Sequence, residues 1–236
     1  MKLKKLFGGR HGFFIDALSC LFFAASLWQT ILSIGALLTR SILPDFSFYY
    51  RYTKLFIHGL NPYNPWYASI IPFNHPPLLL LILTPFALFP IKYAQIVFTF
   101  FSLAALITAM TAVLAYFSVP KTGVFLVLGA ALLAFPTKFS LGMGQINLIV
   151  VSLLLLTFLL EQKGRSQLSG LCWAIASGLK LLPLTLALYF LVRKKYGILL
   201  WGLGLFIGIN LALIVSSGWD IQYFITFFPL VSLIYY

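Results

Sequence analysis

Charged residues are scarce in this chain, and acidic residues are the scarcest. Only 8% of its 236 residues are charged, whereas about 25% of the residues in a typical soluble domain are charged. Four residues are Asp or Glu, and 61% of the chain is hydrophobic. So few polar groups cannot cover the surface of a water-soluble globule. The composition therefore excludes a soluble domain and predicts an integral membrane protein.

The chain also has few residues from which cross-links and metal sites are built. Its two cysteines, Cys20 and Cys172, both lie inside apolar runs, which favours neither a disulfide nor a metal ligand. The sequence shows no carboxylate cluster that would hold a divalent ion. We therefore expect no metal and no other cofactor.

The apolar runs predict helices. Backbone groups in hydrocarbon must be paired within a helix or a closed barrel, and barrel strands alternate apolar with polar residues. The runs at 78–83 and 153–160 do not alternate. We predict an all-α, polytopic transmembrane bundle of about seven or eight membrane segments, forming one domain over residues 1–236. The predicted segments are 17–39, 77–89, 93–119, 122–135, 146–160, 168–192, 196–216 and 221–236.

Basic residues set the predicted orientation of the bundle. The net charge is +12, and its clusters stand at the ends of apolar runs, at 2–5, 163–165 and 193–195. This is the positive-inside pattern of a membrane protein that contacts anionic lipids, and not a nucleic-acid-binding surface. It places the N-terminus in the cytoplasm and the polar loop 40–76, with its short interfacial helices, outside the plasma membrane.

The positive-inside rule is satisfied only if one apolar run does not cross the membrane. We expect that this is the short run 122–135. The run 168–192 is expected to be a hairpin whose outer tip carries Lys180. The last run reaches Tyr236 without a closing loop, so we expect that the natural protein continues.

The outer loop begins with an amphipathic helix at 45–58, which has an aromatic side and a basic side that includes Arg51 and Lys54. Asp45 stands where an N-cap belongs, and Gly59 stands where the helix would end. The simpler interpretation is a capped helix at the membrane surface. The alternative is that Asp45, one of few acids expected to face outward, acts as a general base.

Four further polar residues lie beside or inside apolar runs. Lys180 either reaches an interface with its long side chain or binds the phosphate of a lipid. Gln145 and Asn147 either cap a helix or form hydrogen bonds with sugar hydroxyls. His75 either belongs to a rigid loop entry before Pro76-Pro77 or contacts a substrate.

Five motifs follow one another along the chain, namely Asp45 after the first span, HGLNPY at 58–63, PP at 76–77, GQIN at 144–147 and KLLP at 180–183. Their order resembles that of glycosyltransferase family 87, the polyprenol-phosphate-mannose-dependent mannosyltransferases of the GT-C superfamily. The resemblance implies an inverting hexosyltransferase that moves a mannose-like sugar from a polyprenyl-phosphate donor to a lipid or glycan acceptor. In this sequence His75 stands where a tyrosine commonly precedes the proline pair, and the chain is shorter than is typical.

The resemblance also implies roles for individual residues. Asp45 matches the catalytic aspartate, and one such base suffices because phosphate is already a good leaving group. Hydrolytic glycosidases instead use two carboxylates. The expected donor-phosphate ligands are Lys180, Arg51 and His75. The expected sugar or acceptor contacts are Gln145, Asn147, Tyr63 and Tyr49.

Two other functions stay open from the sequence alone. A transporter or channel would carry polar groups through several mid-membrane helices, whereas here the outer loop holds most of them. A non-catalytic subunit or fragment of a longer glycosyltransferase is favoured by the apparent break at Tyr236.

Overall fold

The computed structural model describes residues 10–64 and 73–218, and every regular element in these ranges is a helix. This confirms the predicted all-α class for that part of the chain. The predicted loop 40–76 is described only up to residue 64 and from residue 73. The α-helices are α1 (Arg10–Arg40), α2 (Pro44–Ile57), α3 (Pro77–Ala87), α4 (Ile91–Tyr116), α5 (Lys121–Leu133), α6 (Phe135–Met143), α7 (Asn147–Gln162), α8 (Ser166–Leu179), α9 (Leu186–Val192) and α10 (Tyr196–Ser217), with a 3₁₀ helix at Leu182–Thr185 before α9.

Three helices in the described ranges are long and apolar enough to cross a membrane, namely α1, α4 and α10. Helices α5 and α6 make a fourth candidate if they count as one span, since their axes meet at a bend of 52°. The remaining apolar helices are shorter. Length and composition thus support a membrane protein with three or four spans, fewer than the seven or eight segments predicted.

Contacts between helix ends define one end of the bundle. Thr122, at the start of α5, donates a hydrogen bond to Asp16 of α1. Tyr116, at the end of α4, donates one to the carbonyl of Gln162, at the end of α7 (3.5 Å). We call this the basic end, because the connections that meet there carry Lys121, Lys163, Arg165, Arg193, Lys194 and Lys195.

The opposite end is held together by the buried side chain of Gln95, at the start of α4. Its Oε1 accepts a hydrogen bond from Leu43 N (3.0 Å), and its Nε2 donates to the carbonyl of Ser41 (3.1 Å). These bonds join α4 to the connection between α1 and α2. We call this the polar end, because it also carries the cluster of polar side chains described below.

Helix α3 begins and ends at the polar end. Its first turn packs against the end of α8, where Leu78 contacts Gly178, and the carbonyl of Phe89 just beyond it accepts a hydrogen bond from Tyr50 of α2 (2.8 Å). A helix of 11 residues spans about 16 Å, which is too short for a bilayer core of about 30 Å.

The pair α5–α6, in contrast, runs from one end to the other. It starts beside Asp16 and finishes at Gly144, which packs against Leu43. Helix α6 thus extends the run 122–135 to the far end, and the bent pair is either one broken span or a re-entrant segment. The expectation that 122–135 does not cross stays a prediction. A short run that stays at one end is α3.

The predicted hairpin at 168–192 is present. Helix α8 rises to Lys180 at the polar end, and the chain then returns through the 3₁₀ helix and α9. Trp173 Nε1 donates to the carbonyl of Pro183 across the hairpin (2.8 Å). Glu161, at the basic end, lies within reach of Tyr189 and Lys195. The hairpin thus places the lysine far from the basic loops that flank it in sequence.

Candidate functional site

Helix α2 places Asp45 in its first turn. Pro44 occupies the first helical turn, where its missing N–H costs no hydrogen bond. The helix ends at Ile57, and Gly59 follows its C-cap residue as predicted, with a φ of +72° and with hydrogen bonds from Gly59 N to Phe56 O and from Leu60 N to Leu55 O.

The predicted N-cap role of Asp45 is wrong. Leu43 is the N-cap residue, and among the described residues no side chain caps this helix. Instead, Asp45 Oδ2 accepts a hydrogen bond from Gln145 Nε2 at 2.7 Å, across 100 residues of sequence. The carboxylate therefore faces the turn between α6 and α7 and not its own helix.

Gly144 makes this meeting possible. It follows the last residue of α6 with a φ of +73°, which side-chain-bearing residues rarely adopt. A Cβ at this position would lie 2.7 Å from Phe46 Cβ and 2.9 Å from Leu43 Cβ. Only glycine allows α2 to approach so closely, and this contact brings Asp45 to Gln145, the residue that follows Gly144.

Lys180 reaches the same place from the end of α8. Its backbone is extended (φ −151°, ψ 134°), so the side chain leaves the helix direction. Gly178, two residues earlier, packs closely on Leu78, whose Cβ would lie 3.1 Å from a Cβ at position 178. Lys180 Nζ donates a hydrogen bond to Asn147 Oδ1 at 3.0 Å.

These contacts join four side chains into one chain of hydrogen bonds. Asn147 Nδ2 donates to Gln145 Oε1 at 2.6 Å, which completes the connection from Lys180 through both amides to Asp45. We call these four residues the Asp45–Lys180 chain. It holds a carboxylate and an ammonium at opposite ends of two fixed amides, at the polar end of the bundle.

His75 and Tyr49 lie beside this chain. Their ring centroids are 5.1 Å apart. Burial, and secondarily the charge of Lys180, lower the pKa of His75 to about 4, so its imidazole is neutral at pH 7. Its Nδ1 is buried and has no hydrogen-bond partner within the described residues. An imidazole with one unused nitrogen next to an ammonium is suited to contact a polar or anionic ligand.

Tyr49 remains a neutral phenol in this position. Burial, and then the negative charge of Asp45, raise its pKa well above the ordinary tyrosine value, while a hydrogen bond with the Ile146 backbone opposes them. Tyr49 is 6% exposed, and contact of its ring with a sugar or an acceptor stays a prediction.

Tyr63 and Arg51 are placed differently. Tyr63 is 3% exposed, and its hydroxyl donates to the carbonyl of His75 at 2.7 Å, so it supports the backbone that carries the imidazole. Arg51 is exposed on α2, six residues from Asp45 and thus about 240° around the helix. Sugar contact by Tyr63 and phosphate contact by Arg51 stay predictions.

Two residues at the site were not found from the sequence. Ser140 Oγ lies 3.4 Å from Gln145 Oε1. Asn210 of α10 accepts a hydrogen bond from Leu78 N at the start of α3 (3.4 Å). A lone amide in the long apolar run of α10 was the available signal for Asn210. Ser140 offered none, because serine is common in such helices.

The chemistry of the site follows from its groups. A carboxylate can accept a proton, and an ammonium with a neutral imidazole can stabilise an anion. Within residues 10–64 and 73–218, no three His, Cys, Asp or Glu side chains are grouped so that they could hold a metal ion.

Comparison with known proteins identifies one family. Residues 73–232 match the model of glycosyltransferase family 87. The chain matches no curated protein and no solved structure. The matched region contains His75, Gln145, Asn147 and Lys180, and it begins after Asp45. Because the match covers well over half of the sequence, the chain belongs to glycosyltransferase family 87 and is a glycosyltransferase.

Proposed function

We propose that this protein transfers a mannose-like hexose, with inversion, from a polyprenyl-phosphate donor to a hydroxyl of a lipid or glycan acceptor at the outer face of the plasma membrane. The observation that carries the proposal is the Asp45–Lys180 chain. It brings a base and a cation from distant parts of the sequence to one end of the bundle.

In this reaction Asp45 removes the proton from the acceptor hydroxyl. The acceptor oxygen forms a bond with the anomeric carbon while the bond from that carbon to the phosphate oxygen breaks. The bonding electron pair leaves with the phosphate. Because attack and departure take place on opposite faces of the sugar, the configuration inverts.

Lys180 and His75 are the proposed partners of the phosphate. A sugar linked through one phosphate carries one negative charge, which matches the single ammonium of Lys180. The neutral imidazole of His75 adds a hydrogen bond without a second charge. An acid that protonates the leaving group is unnecessary, because the departing phosphate is a stable anion.

The basic end is proposed to face the cytoplasm. Tight basic clusters in short connections are typical of the cytoplasmic side, although Lys54, Lys92 and Lys138 also lie toward the polar end. In this orientation seven segments run between the two ends of the bundle, namely α1, α4, α5–α6, α7, α8, α9 with its 3₁₀ helix, and α10, whereas α3 stays at the outer surface.

Cysteine labelling tests the orientation. Exposed residues at the two ends are replaced singly, as His58→Cys and Gln162→Cys, in a background that lacks Cys20 and Cys172. An impermeant maleimide added to intact cells is expected to label position 58 and to spare position 162. Labelling of position 162 alone would reverse the orientation and end the proposal of an outer active site.

Sugar transfer is tested with the purified chain in vesicles that contain a polyprenyl-phosphate hexose. Asp45→Asn removes the base without changing the size of the side chain, so transfer is expected to fall to background. Asp16→Asn is the matched control, because Asp16 is exposed at the basic end. Transfer that persists in Asp45→Asn would remove Asp45 from the role of base. Solute transport by the vesicles without sugar transfer would instead support a transporter.

A further inference from the structure

The hydrogen bonds of the Asp45–Lys180 chain have one possible direction. A carboxylate can only accept hydrogen bonds and an ammonium can only donate them. Lys180 therefore has to donate to an amide oxygen, and Asp45 has to accept from an amide nitrogen. With both ends fixed, the orientation of the Asn147 and Gln145 amides is determined by chemistry and does not depend on the assignment of oxygen and nitrogen.

The two amides are already occupied by each other and by the charged ends. Gln145 Nε2 donates to Asp45, and Gln145 Oε1 accepts from Asn147 and lies near Ser140. Asn147 Nδ2 donates to Gln145 Oε1, and Asn147 Oδ1 accepts from Lys180. One lone pair of Asn147 Oδ1 and the second N–H of each amide are not used by these bonds. The bonds that are formed serve the two charged groups, which favours a positioning role for the two amides over sugar recognition.

We propose that Gln145 and Asn147 are positioning residues, which hold the carboxylate of Asp45 and the ammonium of Lys180 at a fixed separation and orientation across the reaction centre. This inference rests on the proposed function and replaces the expectation that these two amides contact the sugar. The Gln145 bond engages one carboxylate oxygen, Oδ2, and so orients the other for the acceptor hydroxyl. The Asn147 bond uses one of three ammonium hydrogens and leaves two for the phosphate.

Steady-state kinetics distinguish positioning from sugar binding. Gln145→Met keeps the length of the side chain and removes both hydrogen bonds, so kcat is expected to fall about 100-fold or more, because a displacement of about 1 Å has that effect on reacting groups. KM for donor and acceptor is expected to change less than about threefold. Gln162→Met, an exposed glutamine at the basic end, is the matched control. A large rise in KM at nearly constant kcat would show sugar contact and overturn the inference.

A double variant tests whether the two amides act as one unit. If they do, Gln145→Met combined with Asn147→Leu is expected to lower kcat about as much as the more damaging single change does. Two independent sugar contacts would instead give effects that multiply. Multiplied effects would overturn the inference.

The direction of the hydrogen bonds provides a second test. Gln145→Glu places a second carboxylate against Asp45, where a donor is required. Asn147→Asp keeps an acceptor against Lys180 but replaces the donor to Gln145 Oε1, an uncharged oxygen, by a second acceptor. Because two like charges meet only in Gln145→Glu, that variant is expected to lower kcat at least tenfold more than Asn147→Asp does. Equal effects, or the reverse order, would contradict the directional chain.

Thermal unfolding examines the chain independently of catalysis. Each of Gln145→Met and Asn147→Leu is expected to lower Tm, and the double variant is expected to lower it by less than the sum. Additive shifts would mean that the amides are not coupled. If coupling is found but the unchanged protein transfers no sugar, the proposed function fails while the hydrogen-bonded unit stands.

Discussion

Replacement of Gly144 by alanine tests the contact that brings Asp45 to Gln145. The change has two costs that follow from the structure. An alanine at a φ of +73° is destabilised by about 1 to 2 kcal/mol. Its Cβ would lie 2.7 Å from Phe46 Cβ and 2.9 Å from Leu43 Cβ, and overpacking of this kind costs about 1 to 3 kcal/mol. The expected loss of stability is therefore about 2 to 5 kcal/mol.

Both neighbouring atoms are Cβ atoms and cannot rotate away, so α2 has to shift. Asp45 precedes Phe46, and Gln145 follows Gly144, so the shift lengthens the 2.7 Å hydrogen bond between their side chains. Gly144→Ala is thus expected to lower kcat for sugar transfer as well as Tm. For a chain of this size the fall in Tm is roughly 5 to 15 °C.

Gly164→Ala is the matched control. Gly164 has a φ of +70°, and nothing lies within 4 Å of a Cβ placed there. This variant is expected to lose only about 1 to 2 kcal/mol, with transfer activity retained in the folded fraction. Thermal unfolding in detergent and transfer assays on both variants distinguish the effect of backbone strain, which both share, from the effect of moving α2 away from position 144, which only Gly144→Ala has. Equal losses of stability and activity in the two variants would refute the packing argument.

Two further predictions concern buried titratable groups. Lys195→Met removes the cation 3.4 Å from Glu161, whose side chain is 1% exposed, and is expected to lower the free energy of unfolding by about 3 to 5 kcal/mol. The control Lys163→Met, at the same end, is expected to lower it by less than about 1 kcal/mol. Equal losses of stability in the two variants, measured by thermal unfolding, would contradict the burial of Glu161 as the cause. The pKa of His75 is lowered to about 4 in the folded protein. Between about pH 6.5 and pH 4 the unfolded chain therefore binds a proton at His75 that the folded chain does not bind. The free energy of unfolding is thus unaffected by this group above about pH 6.5, and it falls by up to about 3 kcal/mol as the pH drops to about 4. His75→Gln is expected to remove this part of the pH dependence of Tm and exposed His58→Gln to keep it, whereas an unchanged profile in His75→Gln would show that another group is responsible.

Local signals in the sequence were sufficient for single elements. The amphipathic pattern predicted α2, and Gly59 before Pro62 predicted its end. Lys180 in the middle of an apolar run predicted a hairpin tip, because a charge in hydrocarbon needs an exit or a partner. Each of these inferences depends on residues close together in the chain, where spacing alone determines the geometry.

Partners distant in sequence could not be predicted in the same way. Asp45 was assigned to its own helix because an acid in a first turn usually caps or complements that turn. Its actual partner, Gln145, is set by the approach of α2 to Gly144, which no local pattern reveals. The length of the apolar run at 122–135 was underestimated for a related reason, since it was judged without the continuation of that run through α6.

The family match begins after Asp45, so it does not by itself support Asp45 as the base. That assignment depends on the contacts that the described acidic residues make. Three acids lie in the described ranges. Asp16 bonds Thr122, and Glu161 pairs with Lys195, and both of these contacts are at the basic end. Asp45 is the described acid at the polar end, where Lys180, His75 and Tyr49 converge. If sugar transfer takes place at that end and its catalytic carboxylate comes from the described residues, that carboxylate is Asp45. The reaction then also needs Gln145 and Asn147, the amides that fix the orientation of Asp45.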